Sequence, residues 1–178
     1  DYLKATVQAI VDVICDASEA LKKEFPQINV ELKREVSFIT SQELEDLYPN
    51  NTPEEREQLY LKEHKTAFIM GIGAPLHSGK PHGNRAPDYD DWNLNGDILV
   101  WDSELDVALE LSSMGIRVDS ESIKKQVKHA NKLEKLENDY ALQVINNELP
   151  LTIGGGIGQS RLCMFFLKKM HIGEVQVS

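Results

Sequence analysis

Between Leu151 and Leu162 the chain reads Leu-Thr-Ile-Gly-Gly-Gly-Ile-Gly-Gln-Ser-Arg-Leu, with four glycines in the five positions from Gly154 to Gly158. A short apolar run precedes them, and Arg161-Leu-Cys-Met-Phe-Phe-Leu-Lys-Lys169 follows as a segment that reads as a buried helix. The pattern predicts a strand at 151–153, a glycine turn and a final helix. Glycine lets a backbone approach a ligand closely and adopt φ values closed to other residues. A helix start beyond such a turn offers unpaired N–H groups and a positive dipole end, a seat for phosphate. Arg161 in its first turn adds a planar fork suited to phosphate oxygens. Gly154, Gly155, Gly156, Gly158 and Arg161 are therefore candidate nucleotide-binding residues. The competing explanation is a structural turn whose glycines only pack strand against helix.

Two further stretches favour the nucleotide. Asn95-Gly-Asp-Ile-Leu-Val-Trp101 has the pattern of a strand that opens with a carboxylate. From Leu105 the chain alternates, with Val107, Leu109 and Leu111 on one face and Ala108, Glu110 and Ser112 on the other. Paired antiparallel, these strands bring Asp97 and Glu110 to one side of a sheet. Mg²⁺ takes oxygen ligands and is usually held by one or two carboxylates plus phosphates. Each acid alone is equally a solvated strand-end residue; beside a phosphate-binding turn the metal reading gains. Strict alternation places Glu110 and Ser113 on opposite faces. A shared role requires a bulge, here expected near Gly115.

Elsewhere helices and strands alternate. Leu3, Val7, Ile10, Ile14, Ala17 and Leu21 recur at spacings of three and four, predicting an amphipathic helix over 2–23 that Pro26 stops. Strands are expected at 28–32, 35–39 and 66–70. Thr40 with Glu43, and Thr52-Pro53 with Glu55, are helix-start signals for two short helices. Residues 71–84 form a Gly- and Pro-bearing loop, and a polar helix over 120–148 should break near Asn131. Strands paired around a helical hairpin suit an α+β fold with a mixed sheet.

The net charge of −10, with no basic stripe, argues against a large nucleic-acid footprint. Cys15 and Cys163 lie in apolar helical contexts and read as buried free thiols of a reducing, cytoplasmic compartment. No apolar run is long enough to span a membrane. His64, His77 and His82 match no zinc spacing and read as surface residues, and His171 is expected to assist the last helix C-terminus.

Gly-Gly-Gly-Ile-Gly-Gln-Ser-Arg161 resembles the third signature motif of class II aminoacyl-tRNA synthetases. With Arg85-Ala-Pro-Asp-Tyr-Asp-Asp-Trp92, Asn95-Gly-Asp-Ile-Leu-Val-Trp101 and Glu110-Leu-Ser-Ser-Met-Gly-Ile-Arg-Val-Asp119, the chain resembles the ammonia-dependent asparagine synthetases, synthetase-like ligases that handle no tRNA. The resemblance runs from the first helix to the last residue. It implies an α+β fold with a mixed, mainly antiparallel sheet flanked by helices, and a homodimer. It also implies a single catalytic domain over 1–178 that is the C-terminal portion of a longer protein. A loop between the Trp92 and Leu94 words of the family is absent here, so a missing loop is expected at 92–93.

The implied reaction joins aspartate and ammonia, with ATP cleaved to AMP and pyrophosphate through a β-aspartyl adenylate. Matched residue by residue, Asp97 and Glu110 would bind Mg²⁺–triphosphate, Arg161 the γ-phosphate, and the Gly154–Gly158 backbone would floor the adenosine site. Ser113 would donate a hydrogen bond near the adenylate. Arg85 would grip a carboxylate of aspartate, and Asp90 would meet its α-ammonium or the incoming ammonium. Arg117 either contacts substrate or pairs with a carboxylate such as Glu110 or Asp119. The acids of 88–91 could instead form a solvated loop. Two other functions stay open: an aspartyl- or asparaginyl-tRNA synthetase core, which predicts a basic face, and a non-catalytic synthetase-like module, expected to lose Asp97, Glu110 or Arg161.

Overall fold

The computed structural model describes residues 1–176. Helix α1 (Tyr2–Glu24) is followed by strand β1 (Ser37–Thr40), helices α2 (Ser41–Leu47) and α3 (Pro53–His64), and β2 (Thr66–Met70). Strands β3 (Asp90–Asp102) and β4 (Val107–Arg117) form a long hairpin. Helix α4 (Ser120–His129), a 3-10 turn (Leu133–Glu137), α5 (Asp139–Ile145), strand β5 (Ile153–Ile157) and α6 (Gln159–Phe166) complete the order. The sheet runs β1-β2-β3-β4-β5, with β1 and β2 parallel and every other pair antiparallel. That is the expected α+β fold with a mixed, mainly antiparallel sheet.

Local chemistry accounts for the helix boundaries. Thr40 and Thr52 accept from the backbone N–H groups of Glu43 and Glu55, whose side chains reach back to the threonine N–H groups. Each capping box satisfies two otherwise orphaned donors. The polar segment after β4 breaks where expected, around Asn131 at a φ of 53°. Two strands and one helix position differ from expectation. Residues 28–32 form no strand, and the second predicted strand is shortened to β1. Ala17 is exposed, so the apolar stripe of α1 rests on Val7, Val11, Ile14 and Cys15.

Side-chain alternation splits the core between the two sheet faces. On one face Val7, Val11 and Cys15 of α1 pack on Val36, Phe68, Ile98 and Met114, while Ile14 meets Val100, Leu111 and the α6 pair Phe165 and Phe166. On the other, Leu44 of α2 and Tyr60 and Leu61 of α3 cover Ile39, Ala67, Ile69, Leu99 and Trp101. Helices α2 and α3 thus seal the β1–β3 half of this second face. The β3–β5 half is left for the site. Helices α4 and α5 form a small cluster of their own through Ile123, Val127, Ala141 and Val144.

One thiol and two histidines depart from expectation. Cys15 is buried but Cys163 is exposed, because α6 turns Met164, Phe165 and Phe166 inward instead. His82 is buried and hydrogen-bonded through Nε2 to Glu57 at 2.8 Å, not a surface residue. His171 accepts from the Gly173 N–H and so starts the following 3-10 turn rather than closing α6. No helix among the described residues is long and apolar enough to cross a membrane.

Candidate active site

The site is built on a register fault. Asp97 pairs with Ser113 and Ile98 with Ser112, but Leu99 pairs with Glu110, so Leu111 is an extra residue in β4. Directly paired residues share a face, and alternate residues of β3 share it too. Asp97, Leu99, Ser113 and Glu110 therefore all point to the same side. The bulge that the shared role of Glu110 and Ser113 demands is present. It sits at Leu111 rather than near Gly115, since the extra residue has to lie between the two side chains it reconciles.

The same face continues toward the far end of the hairpin. Asp90 pairs with Arg117 and Asn95 with Gly115, so residues 91–94 of β3 bulge opposite the single Ile116. The 92–93 junction falls inside this bulge, and β3 passes through it. The Arg117 guanidinium contacts the Asp90 carboxylate and lies 4.1 Å from the centre of the Tyr89 ring. A Cβ on Gly115 would come within 3.0 Å of the Asp90 carboxyl carbon, and one on Gly154 within 2.4 Å of an Arg117 nitrogen. These two glycines make room for the ion pair. The partner of Arg117 is Asp90, not Glu110 or Asp119; Asp119 caps α4 instead.

The glycine run forms a strand. Gly154, Gly155 and Gly156 belong to β5, paired with Gly115, Met114 and Ser113, and none of them has a positive φ. Only Gly158 leaves the ladder, as the N-cap of α6. The predicted strand at 151–153 thus moves to 153–157, and the glycines serve close approach instead of unusual turning. Nothing lies within 4 Å of a Cβ on Gly156, which opens onto a cleft of about 500 Å³. Tyr89, Asp90, Glu110, Ser113, Arg117 and Arg161 line its walls.

Each acid facing this region is matched to an arginine. Arg161 Nη1 lies 3.1 Å from Glu110 Oε1 and also donates to the Glu110 carbonyl at 3.2 Å; both side chains are partly exposed. Arg117 holds Asp90, and Arg85 holds Asp97 Oδ2. Asp97 is 7% exposed, and among the described residues its Oδ1 has no hydrogen-bond partner. Burial pushes the Asp97 carboxyl up to about 6 against the opposing pull of Arg85, with nearby Glu110 adding to the rise. Arg85 and Asp97 stand beside the cleft rather than among the residues that line it.

Four residues to which the sequence reading assigned no individual role position this site. Gln126 on α4 is buried; its Nε2 donates to the carbonyls of Pro87 and Asp90 at 3.1 Å, and its Oε1 accepts from Trp92 N–H at 2.8 Å. Lys135 reaches Asp88 at 2.7 Å. The Asn95 amide exchanges two 2.8 Å hydrogen bonds with the Ile72 backbone. Tyr89, read only as part of an acidic loop, stacks on Arg117. The 85–91 segment is therefore a held wall and not a solvated loop. One signal was available: Gln126 interrupts the apolar stripe of Ile123 and Val127 on α4.

The family model of aspartate-ammonia ligase matches residues 1–178. An aspartate–ammonia ligase of Bacillus cereus (strain G9842) is 53% identical over 178 residues, all of this chain and 54% of that protein. One of Bacillus anthracis (strain CDC 684 / NRRL 3495) is 52% identical over the same share. The chain thus spans about half the length of these relatives. Among solved structures, an aspartyl-tRNA synthetase from Entamoeba histolytica superposes with a TM-score of 0.66 at 16% identity, over 99% of this chain and 40% of that one. An asparaginyl-tRNA synthetase from Pyrococcus horikoshii, complexed with asparaginyl-adenylate, gives 0.63 at 18% identity, over 97% and 42%. These likenesses show the class II synthetase-like fold. The chain belongs to the aspartate–ammonia ligase family.

Proposed function

We propose that this member of the aspartate–ammonia ligase family makes L-asparagine from L-aspartate and ammonia through a β-aspartyl adenylate. The observation that carries the reading is the shared face of Asp97, Glu110, Ser113, Arg117 and Asp90 beside the Gly156 floor, with Arg161 at the start of α6. A carboxylate is a poor electrophile, and activation requires a better leaving group. In the proposed reaction an oxygen of the aspartate β-carboxylate attacks the α-phosphorus of ATP and pyrophosphate leaves. The ammonia lone pair then adds to the acyl carbon, AMP leaves, and a proton is lost from nitrogen.

The chain's residues divide these tasks by charge and position. Arg161 binds the γ-phosphate once released from Glu110, and the flat backbone of Gly154 to Gly158 lets the adenosine lie close to the sheet. Ser113 donates to the adenylate linkage. Arg117, and Arg85 once free of Asp97, take carboxylate oxygens of aspartate. Asp90 attracts the α-ammonium or the incoming ammonium and accepts its proton. Asp97 and Glu110 offer the hard oxygen donors that Mg²⁺ prefers, and Asp97 Oδ1 has no hydrogen-bond partner among the described residues. When bound, the ion would neutralise triphosphate charge. The fold kinship to a synthetase that holds asparaginyl-adenylate supports a mixed anhydride of this kind. A net charge of −10 disfavours the tRNA reading. The same reading takes the protein to be a cytoplasmic homodimer.

The test is a coupled assay of the full-length protein with ATP, Mg²⁺, L-aspartate and ammonium chloride. Ammonium-dependent asparagine matched one-for-one by AMP and pyrophosphate is expected. ADP in place of AMP would break the adenylate route, and a lack of asparagine would return weight to a tRNA-linked or non-catalytic role.

A further inference from the structure

We infer that Arg85 is a switch between the buried carboxylate of Asp97 and the carboxylate of the substrate aspartate, so that metal–nucleotide binding releases it for its substrate role. The inference rests on the adenylate-forming reading above and adds a coupling between its two ligands. Three observations lead to it. Arg85 occupies Asp97 Oδ2, leaving Oδ1 buried and, among the described residues, without a hydrogen-bond partner. Its side chain arrives from the loop between β2 and β3, the segment that also carries Tyr89 and Asp90 into the cleft wall. Asp97 and Arg85 themselves do not line that cleft.

One guanidinium cannot serve both carboxylates in full. While it neutralises Asp97 it is not among the residues that line the cleft, and aspartate must compete with a resident anion for it. A divalent cation drawn to Asp97 and Glu110 takes over the neutralisation, and Arg85 is freed with its charge unpaired. That unpaired charge is relieved by the substrate carboxylate. The nucleotide is needed because Glu110 is likewise held by Arg161, whose release requires phosphate oxygens. Metal, triphosphate and aspartate therefore favour one another, and the exchange is reciprocal by thermodynamic necessity.

The experiment is equilibrium binding of L-aspartate to the full-length protein by calorimetry, with and without Mg²⁺ and a non-hydrolysable ATP analogue. In the wild type the analogue should tighten aspartate binding at least about fivefold, the lower range of allosteric couplings. In Asp97→Asn, aspartate should bind without nucleotide about as tightly as it binds the wild type with it. Asp97→Ala, which has no amide to retain Arg85, should show the same tightening. An aspartate affinity in the wild type that ignores the analogue would overturn the switch. So would folded Asp97 variants, judged by circular dichroism, whose nucleotide-free affinity stays at the wild-type level. Aspartate-dependent exchange of pyrophosphate into ATP separates the two ideas. Exchange without coupling defeats only the switch, and absent exchange defeats the adenylate reading itself.

Discussion

Asp97 is the group on which stability and chemistry pull in opposite directions. Its carboxyl is pushed from 3.8 to about 6 in the folded protein, mainly by burial. A tenfold change in proton affinity is worth about 1.4 kcal/mol, so ionising Asp97 costs the ligand-free fold about 3 kcal/mol relative to an exposed carboxylate. The folded state holds this proton more tightly than the unfolded chain. Its contribution to stability is thus complete below the unfolded value near 3.8, is lost as pH rises through about 6, and is constant above. Asp97→Asn removes the titration. The unfolding free energy of the variant minus that of the wild type should therefore grow by up to about 3 kcal/mol between about pH 4 and pH 7. Other groups titrate in both proteins and largely cancel in the difference. Urea denaturation of nucleotide-free protein across that range measures it. A difference that stays flat, or shrinks with rising pH, would refute the placement of Asp97 as a buried, incompletely compensated anion. The same variant should lose adenylate formation, and wild-type kcat/KM for ATP should fall as pH drops below about 6, where the free enzyme's Asp97 becomes protonated.

Three other perturbations test the remaining geometry. Gly154→Ala should fold but displace the Arg117 guanidinium, which stands 2.4 Å from the new Cβ, and lower kcat/KM for aspartate at least about tenfold. Gly156→Ala meets no protein atom within 4 Å, so its effect should appear as a raised KM for ATP with an unchanged melting temperature. Arg56→Ala leaves Glu45 buried without the guanidinium now 3.1 Å away; chemical denaturation should show a loss of about 3 kcal/mol with substrate KM values unaffected.

Much of this architecture was legible because it rests on short-range rules. The capping boxes at Thr40 and Thr52, the stripe of α1, strand β2 and the break near Asn131 follow from side-chain periodicity and local hydrogen bonding. The misjudged parts depend on what lies across the sheet. Gly154 to Gly156 look like a turn in isolation, and only the neighbouring Arg117 and Met114 explain why a strand there lacks side chains. The same holds for Cys163, whose exposure is decided by which face of α6 meets Leu111 and Val100. The acids Asp88 and Asp90 read as solvated until Lys135 and Arg117, distant in sequence, are placed beside them. Family resemblance pointed to the candidate site residues. It did not show that Asp90, Asp97 and Glu110 would each be found paired with an arginine.

The extra residue at Leu111 gives β4 a property that no side chain carries. Glu110 and Ser113 share a face only because the count of residues between them is out of step with the pleat. A point substitution at Leu111 changes packing against Phe165 and Val100 but preserves that count. Deleting one residue there would restore perfect alternation and turn either the acid or the hydroxyl toward α1 and α6. The active face is thus written partly as a length. It tolerates changes of letter and fails at a change of frame, so relatives that diverge freely in sequence along this strand should still agree in its number of residues.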